Sequence, residues 1–286
     1  PRLRLLPLLM SSLPSASDPA AVEALHDAYG RLRREVGKVI VGQEAIVEGV
    51  TVCLLAQGHC LLVGVPGLAK TLLIRTLADA IDLSFSRIQF TPDLMPGDIT
   101  GTEIIEEDPA TSRRSIKIVK GPLFAGTYPL PEAQLDRFML NLWLDYPSFE
   151  EEVAVVRNTT GAAKPVIEPV LSLDELKLFQ DLVRQVPVAD NVIEYAVRLA
   201  ARTRPGREGT PDFVNEYLSY GAGPRASQYL ILGAKARALL GGRVTPLRED
   251  VQAMAVPVLR RRILTNFNAE AEGVTPVDVI GRIVDL

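Results

Sequence analysis

The chain has 286 residues, 47% of them hydrophobic and 23% charged, with a formal net charge of −4. That is enough for one large domain or two smaller ones around a packed core. The mildly acidic balance argues against a general nucleic-acid coat and a polybasic membrane anchor, and no apolar run is long enough to span a bilayer.

Residues 1–18 are expected to be a disordered or non-native N-terminal segment. PRLRLLPLLMSS has an apolar run too short for a secretory signal, and Pro7 interrupts it. Met10, followed by Ser11 and Ser12, makes a natural start, so residues 1–9 read as upstream translation or a fragment edge. A helix is predicted from Pro19 to about Val36, with Val22, Leu25, Tyr29, Leu32 and Val36 on one stripe. A turn at Val41-Gly42-Gln43 and a second helix, about Glu44 to Ala56, follow. HCLLVG then reads as a strand buried on both faces of a parallel sheet. The two cysteines, Cys53 and Cys60, lie in apolar stretches, and with His26 and His59 they form no zinc spacing. Buried free thiols and a reducing, cytoplasmic compartment are expected.

From Lys70 the pattern is helical, with Leu73, Ile74, Leu77 and Ile81 on one side. SFSRIQF, 84–90, is a second strand candidate. The stretch 91–121 is polar and turn-rich and reads as loops with a β-hairpin. FMLNLWL, 138–144, is another buried strand. After Pro147 the chain turns helical. Ser148 with Glu151, and Ser172 with Glu175, fit the capping box that starts a helix. Helices are predicted at about 148–158, 172–185, 189–202, 225–240 and 246–262. The division is therefore an α/β core over 19–147 and an all-helical half over 148–286.

GVPGLAKT, 64–71, lies between a predicted strand and a predicted helix. Such a loop cradles phosphates with backbone N–H groups, and the helix start adds unpaired donors and the positive end of its dipole. Gly64 and Gly67 supply the turn, Lys70 a cation for the β- and γ-phosphates, and Thr71 a hydroxyl for Mg²⁺. Ala69 replaces the glycine that usually precedes the lysine. Placed at the helix start, it is expected to take helical dihedrals, where alanine is the better former.

GVPGLAKT, KVIVGQE (38–44), FTPDLMPGDITGTE (90–103), KGPLFA (120–125), GTYPLPEAQLDRF (126–138), GAGPRAS (221–227) and VTPVDVI (274–280) together resemble the MoxR family of AAA+ ATPases, over about residues 20–286. The resemblance implies a P-loop α/β core followed by a helical lid. It implies ATP and Mg²⁺ as cofactors and a homo-oligomeric ring, usually a hexamer. It also implies chaperone-like remodelling or maturation of partner proteins, often ones carrying von Willebrand A-type domains, with no specific nucleic acid. By the same resemblance Val41, Gly42 and Gln43 lie beside the adenine, and Gly64, Val65, Pro66, Gly67, Leu68, Ala69, Lys70 and Thr71 form the Walker A loop. Arg137 is the arginine finger offered to the next subunit, and Arg225 the sensor-2 arginine. The run Arg260-Arg261-Arg262 reads as a solvated face or a subunit contact.

Hydrolysis on this fold also needs an acidic pair at the end of a buried strand, to hold Mg²⁺ and orient water. The family places it between KGPLFA and GTYPLPEAQLDRF, with a further strand ending in sensor 1. Here Ala125 joins Gly126 directly. Glu106-Glu107-Asp108 follows Ile104-Ile105 but in the polar insert, and Asp145 comes after the finger, in the wrong order. The parallel sheet is therefore expected to lack central strands. A deletion, a segment missing from the string, or a dispensable piece each account for the join. The expected function is a hydrolysing AAA+ ATPase, with a non-hydrolysing nucleotide-binding scaffold or an inactive remnant as alternatives.

Overall fold

A computed structural model describes residues 18–87, 101–107, 114–120, 136–161 and 165–286. It divides into two units: Pro1–Leu83 with Leu135–Leu286, and Ser84–Gln134. The N-terminal segment 1–17, the motifs between 121 and 135, and the Ala125–Gly126 join lie outside the described residues.

In the first unit, helix α1 (Pro19–Val36) starts where the Asp18 side chain accepts the Ala20 N–H at 3.0 Å and Pro19 takes the first turn. Val22, Leu25, Leu32 and Val36 are buried, as the spacing predicts. Helix α2 (Glu44–Leu55) leads to strand β1 (His59–Val63), and helix α3 (Lys70–Ala80) follows. β1 pairs in parallel with β4 (Phe138–Trp143), His59 beside Phe138 and Val63 beside Trp143. α2 packs on both strands.

The expectation for β1 needs correction. Met139, Leu140 and Leu142 on β4 are buried, but Cys60 to Val63 on β1 are only half-buried. Among the described residues β4 is the one strand beside β1, so its other edge has no ladder. The described sheet of this unit thus has two strands. The strand predicted from Ser84 is not formed over 84–87, and 88–90 lie outside the described residues. A strand persists only where its backbone groups find a ladder partner, and none of the described strands provides one.

The second unit contains strands β2 (Gly101–Glu107) and β3 (Arg114–Lys120), paired antiparallel with Gly101 opposite Lys120 and Glu107 opposite Arg114. This is the predicted hairpin. Glu106 and Glu107 therefore lie on a hairpin strand and not at the carboxyl end of a parallel one.

The remainder of the first unit is helical: α4 (Phe149–Thr160), α5 (Leu173–Gln185), α6 (Asp190–Ala201), α7 (Asp212–Tyr217), then strand β5 (Leu218–Tyr220), α8 (Pro224–Leu240), α9 (Arg248–Leu259), strand β6 (Leu264–Thr265), α10 (Phe267–Glu272) and α11 (Pro276–Val284). Both predicted capping boxes are formed, at Ser148/Glu151 and Ser172/Glu175. The all-helical expectation is corrected by the β5–β6 pair, antiparallel and too short to show alternation in the sequence. No helix of the described residues is long and apolar enough to cross a membrane.

One apolar core runs through this unit. α8 packs on α1, α2, α5, α6 and α9, and α9 packs on β4. A polar node links the same helices. The Asp250 side chain, 1% exposed, accepts from Arg243 Nη1 at 2.5 Å, Arg243 Nη2 at 2.7 Å, Arg237 Nη1 at 3.0 Å and the Leu247 N–H at 2.8 Å. Arg237 also donates to Glu48 on α2 at 2.9 Å. Burial pushes the Asp250 carboxyl up, but the Arg243, Leu247 and Arg237 hydrogen bonds outweigh it and hold the group below the usual carboxylate range.

Candidate functional site: the phosphate loop and an arginine cluster

The loop 64–69 leaves the carboxyl end of β1 and enters α3, the strand–loop–helix junction at which backbone donors converge on an anion. Gly64 permits the tight exit: a Cβ there would lie 2.8 Å from the Leu144 carbonyl oxygen. Val65, Pro66 and Gly67 are exposed, Leu68 is half-buried and Thr71 exposed. Gly67 has φ +95° and open space beside it. The Lys70 ammonium folds back into the loop, donating to the Gly64 carbonyl at 2.6 Å and the Val65 carbonyl at 2.7 Å.

Ala69 is not where the sequence reading put it. It precedes the helix with φ +53° and ψ 22°, in the left-handed region. Its Cβ is strained against the backbone there, and glycine is the residue without that penalty. The missing glycine of the loop therefore has a local cost.

Val41, Gly42 and Gln43 form the turn before α2, each half-buried. Gly42 has φ +71° and lies against the Glu151 carboxylate at the start of α4. Gln43 Oε1 is buried without a hydrogen-bond partner. A cleft of about 350 Å³ opens beside Gln43, lined also by Arg33, Arg34, Ile40, Glu44 and Val47. The phosphate loop does not line it.

The two predicted arginines stand together, away from the loop. Arg137 directly precedes β4, whose first residue pairs with His59, the first of β1; the loop begins beyond Val63, at the other end. Five residues of strand separate these ends by about 17 Å. Arg137 is exposed, and its guanidinium has no ion pair among the described residues. Arg225, in the first turn of α8, donates from Nη1 to Asp136 Oδ2 at 2.6 Å. The approach to α8 is fixed by Gly221, where a Cβ would lie 2.0 Å from the Thr203 carbonyl oxygen, and by the Ala222 N–H donating to Thr203 Oγ1 at 2.9 Å.

Arg262 reads in the sequence as part of a solvated face or a subunit contact. It is not a solvated residue: its side chain is 4% exposed and forks around the turn that carries Arg137. Nε donates to Asp136 Oδ1 at 2.8 Å. Nη2 donates to the Asp136 carbonyl at 2.8 Å and the Phe138 carbonyl at 2.6 Å, and Nη1 to the Met139 and Val258 carbonyls. The guanidinium also lies 5.0 Å from the Tyr229 ring centroid, and the Tyr229 hydroxyl donates to the Arg137 carbonyl at 3.0 Å. Burial lowers the Arg262 pKa, against the charge of Asp136. The one available signal was Asp136 itself, an acid beside the finger with no assigned partner.

Comparison with known proteins shows which families the chain resembles. Residues 59–126 match the ATPase family associated with various cellular activities (AAA), and residues 212–283 match the AAA lid domain. The first match ends at the Ala125–Gly126 join. The chain is 32% identical to "Chaperone MoxR1" of Mycobacterium tuberculosis, over 93% of this chain and 84% of that protein. It is 31% identical to YeaC of Bacillus subtilis, over 92% and 95%. A crystal structure of a candidate ATPase from Cytophaga hutchinsonii superposes with a TM-score of 0.80 at 31% identity, covering 93% of this chain and 96% of that one. The alignment with the mycobacterial chaperone runs over 318 residues, more than the 286 present here, so that relative has positions with no counterpart in this chain. With a strand–loop–helix junction at 64–71, a helical lid and relatives of this similarity along nearly its whole length, the chain belongs to the MoxR family of AAA+ ATPases.

Proposed function

We propose that this protein binds ATP with Mg²⁺ at 64–71 and uses hydrolysis, in a cytoplasmic homo-oligomeric ring, to remodel or mature a partner protein. The observation that carries the reading is the Lys70 ammonium, 2.6 and 2.7 Å from two loop carbonyls at the start of α3. A phosphate would displace those weaker acceptors, since charge-assisted bonds to an oxyanion are the stronger ones. The Thr71 hydroxyl would hold Mg²⁺. The orphaned Gln43 Oε1 fits a donor such as the adenine amino group, with Val41 and Gly42 beside it. Residues 19–147 form the nucleotide core and 148–286 the lid.

Arg137 is about 17 Å from its own phosphate loop by strand length, too far for a guanidinium to bridge, so it serves a neighbouring subunit. Arg225 is tied to Asp136, the residue before Arg137. A guanidinium supplied between subunits is worth about 10³–10⁵-fold in rate in well-studied nucleotide hydrolases. The ring is read as a hexamer and the partner as a von Willebrand A-domain protein on the family resemblance. The test is ATP turnover by the parent chain and by Lys70→Ala. Turnover that vanishes in the variant supports the reading; equal turnover rejects it.

A second reading, ATP binding without hydrolysis, is motivated by one observation. Between Ser84 and Arg137 the acidic pair that follows apolar residues, Glu106-Glu107, lies on the antiparallel hairpin and not at the end of a parallel strand. Lys70-dependent binding with no turnover would select it.

A further inference from the structure

Two arginines, Arg225 and Arg262, converge on the carboxylate of Asp136, and a third, Arg137, follows it in the chain; the three are held very differently. Arg262 is buried and makes five hydrogen bonds, four of them to Asp136, Phe138 and Met139 of the turn that bears Arg137. Arg225 is 45% exposed and makes one ion pair, to the other oxygen of the same carboxylate. Arg137 is exposed and has no charged partner among the described residues. One acid cannot neutralise three guanidinium groups, so the cluster carries surplus positive charge on an exposed surface, suited to a polyphosphate. The turn is fastened to α8 and the segment after α9, through Tyr229 and Arg262.

We propose that Asp136 and Arg262 are positioning residues: Arg262 seats the Arg137 turn on the lid, and Asp136, bonded to Arg262 through one oxygen, uses the other to align Arg225 with Arg137, so that both arginines reach a neighbouring subunit's γ-phosphate as one preset pair. The inference rests on the trans role proposed for Arg137. Preset geometry matters because a guanidinium already aimed at the phosphate loses little freedom on contact. A lysine at 262 would keep the charge but lose the fork that spans four carbonyls and a carboxylate. An asparagine at 136 has one acceptor oxygen in place of two and no charge, so it cannot form an ion pair with either arginine.

The test has two arms on the full chain. In the nucleotide-free protein, backbone amide exchange over residues 137–141 is compared between the parent, Arg262→Lys and Arg262→Met. Exchange there is expected to rise about tenfold or more in both variants, while peptides from α8 and α9 exchange as in the parent. Unchanged exchange at the turn, or equal acceleration throughout the lid, overturns the proposal.

In the second arm, ATP·Mg²⁺-dependent self-association is followed by sedimentation, and ATP affinity is measured separately. Arg262→Met, Asp136→Asn and Arg137→Ala are each expected to weaken association about tenfold, with ATP affinity within about twofold of the parent. Adding Arg262→Met to Arg137→Ala is expected to cause no further loss, because both remove one interaction. Losses that multiply, or full association in Arg262→Met, overturn it. A failure of the phosphate-loop reading looks different: Lys70→Ala would bind ATP like the parent. The nucleotide-free exchange arm decides the clamp in that case.

Discussion

Replacing Ala69 by glycine tests the phosphate loop through the sign of one number. In a helix interior, alanine to glycine costs about 1 kcal/mol, and the sequence pattern of GLAKT leads to that expectation. In the structure Ala69 has φ +53° and ψ 22°, where an L-residue pays about 1–2 kcal/mol that glycine does not. Glycine also adds entropy to the unfolded chain, worth about 0.4–1 kcal/mol against it. The balance is a net stabilisation of about 0.5–1 kcal/mol. Ala69 is exposed, so lost packing adds little. Urea denaturation of the parent and Ala69→Gly should give a higher midpoint with an unchanged slope. A lower midpoint by the amount of a helix-interior glycine would refute the left-handed assignment, and with it the claim that the loop is strained at this position.

Asp250→Asn should cost about 2–3 kcal/mol, because it leaves Arg237 and Arg243, both partly exposed, without their buried counter-ion; thermal unfolding reads this directly. Asp250 also sets part of the acid limb. Its folded pKa lies below the unfolded value of about 3.9, so its contribution is complete above that pH and is lost as pH falls through the folded value. A plot of melting temperature against pH should therefore flatten below about pH 4 in Asp250→Asn relative to the parent. Gly64→Ala should destabilise by about 1–3 kcal/mol, since its Cβ would press on the Leu144 carbonyl, and it should weaken ATP binding in the same preparation.

What was legible in the sequence followed from period and punctuation. The stripe of α1, both serine capping boxes, the strand before Gly64 and the 101–120 hairpin each carried a local pattern that tertiary contacts did not override. Three features had no such pattern. The conformation of Ala69 depends on how the loop closes over six residues, and residue type alone pointed the other way. The role of Arg262 depends on Asp136, 126 positions earlier, so a run of three arginines gave no reason to bury the last. The half-exposure of β1 depends on which strands lie beside it. The sequence carried that information only as an omission, two family motifs meeting at Ala125–Gly126. In the candidate site, the strand–loop–helix junction that carries Lys70 could be read directly because its residues are contiguous in sequence. The arginine cluster could be read only in part, because its scaffold is assembled from 136–139, 225–229 and 258–262.

The most direct test of the central claim is calorimetric titration of the nucleotide-free chain with ATP in Mg²⁺, beside Lys70→Ala. The parent should show saturable binding at one site per chain, and the variant a loss of about tenfold or more in affinity, the scale of removing a charged hydrogen-bond partner of a phosphate. Equal affinity in the two proteins, or no heat of binding in either, would contradict the assignment of 64–71 as the nucleotide site.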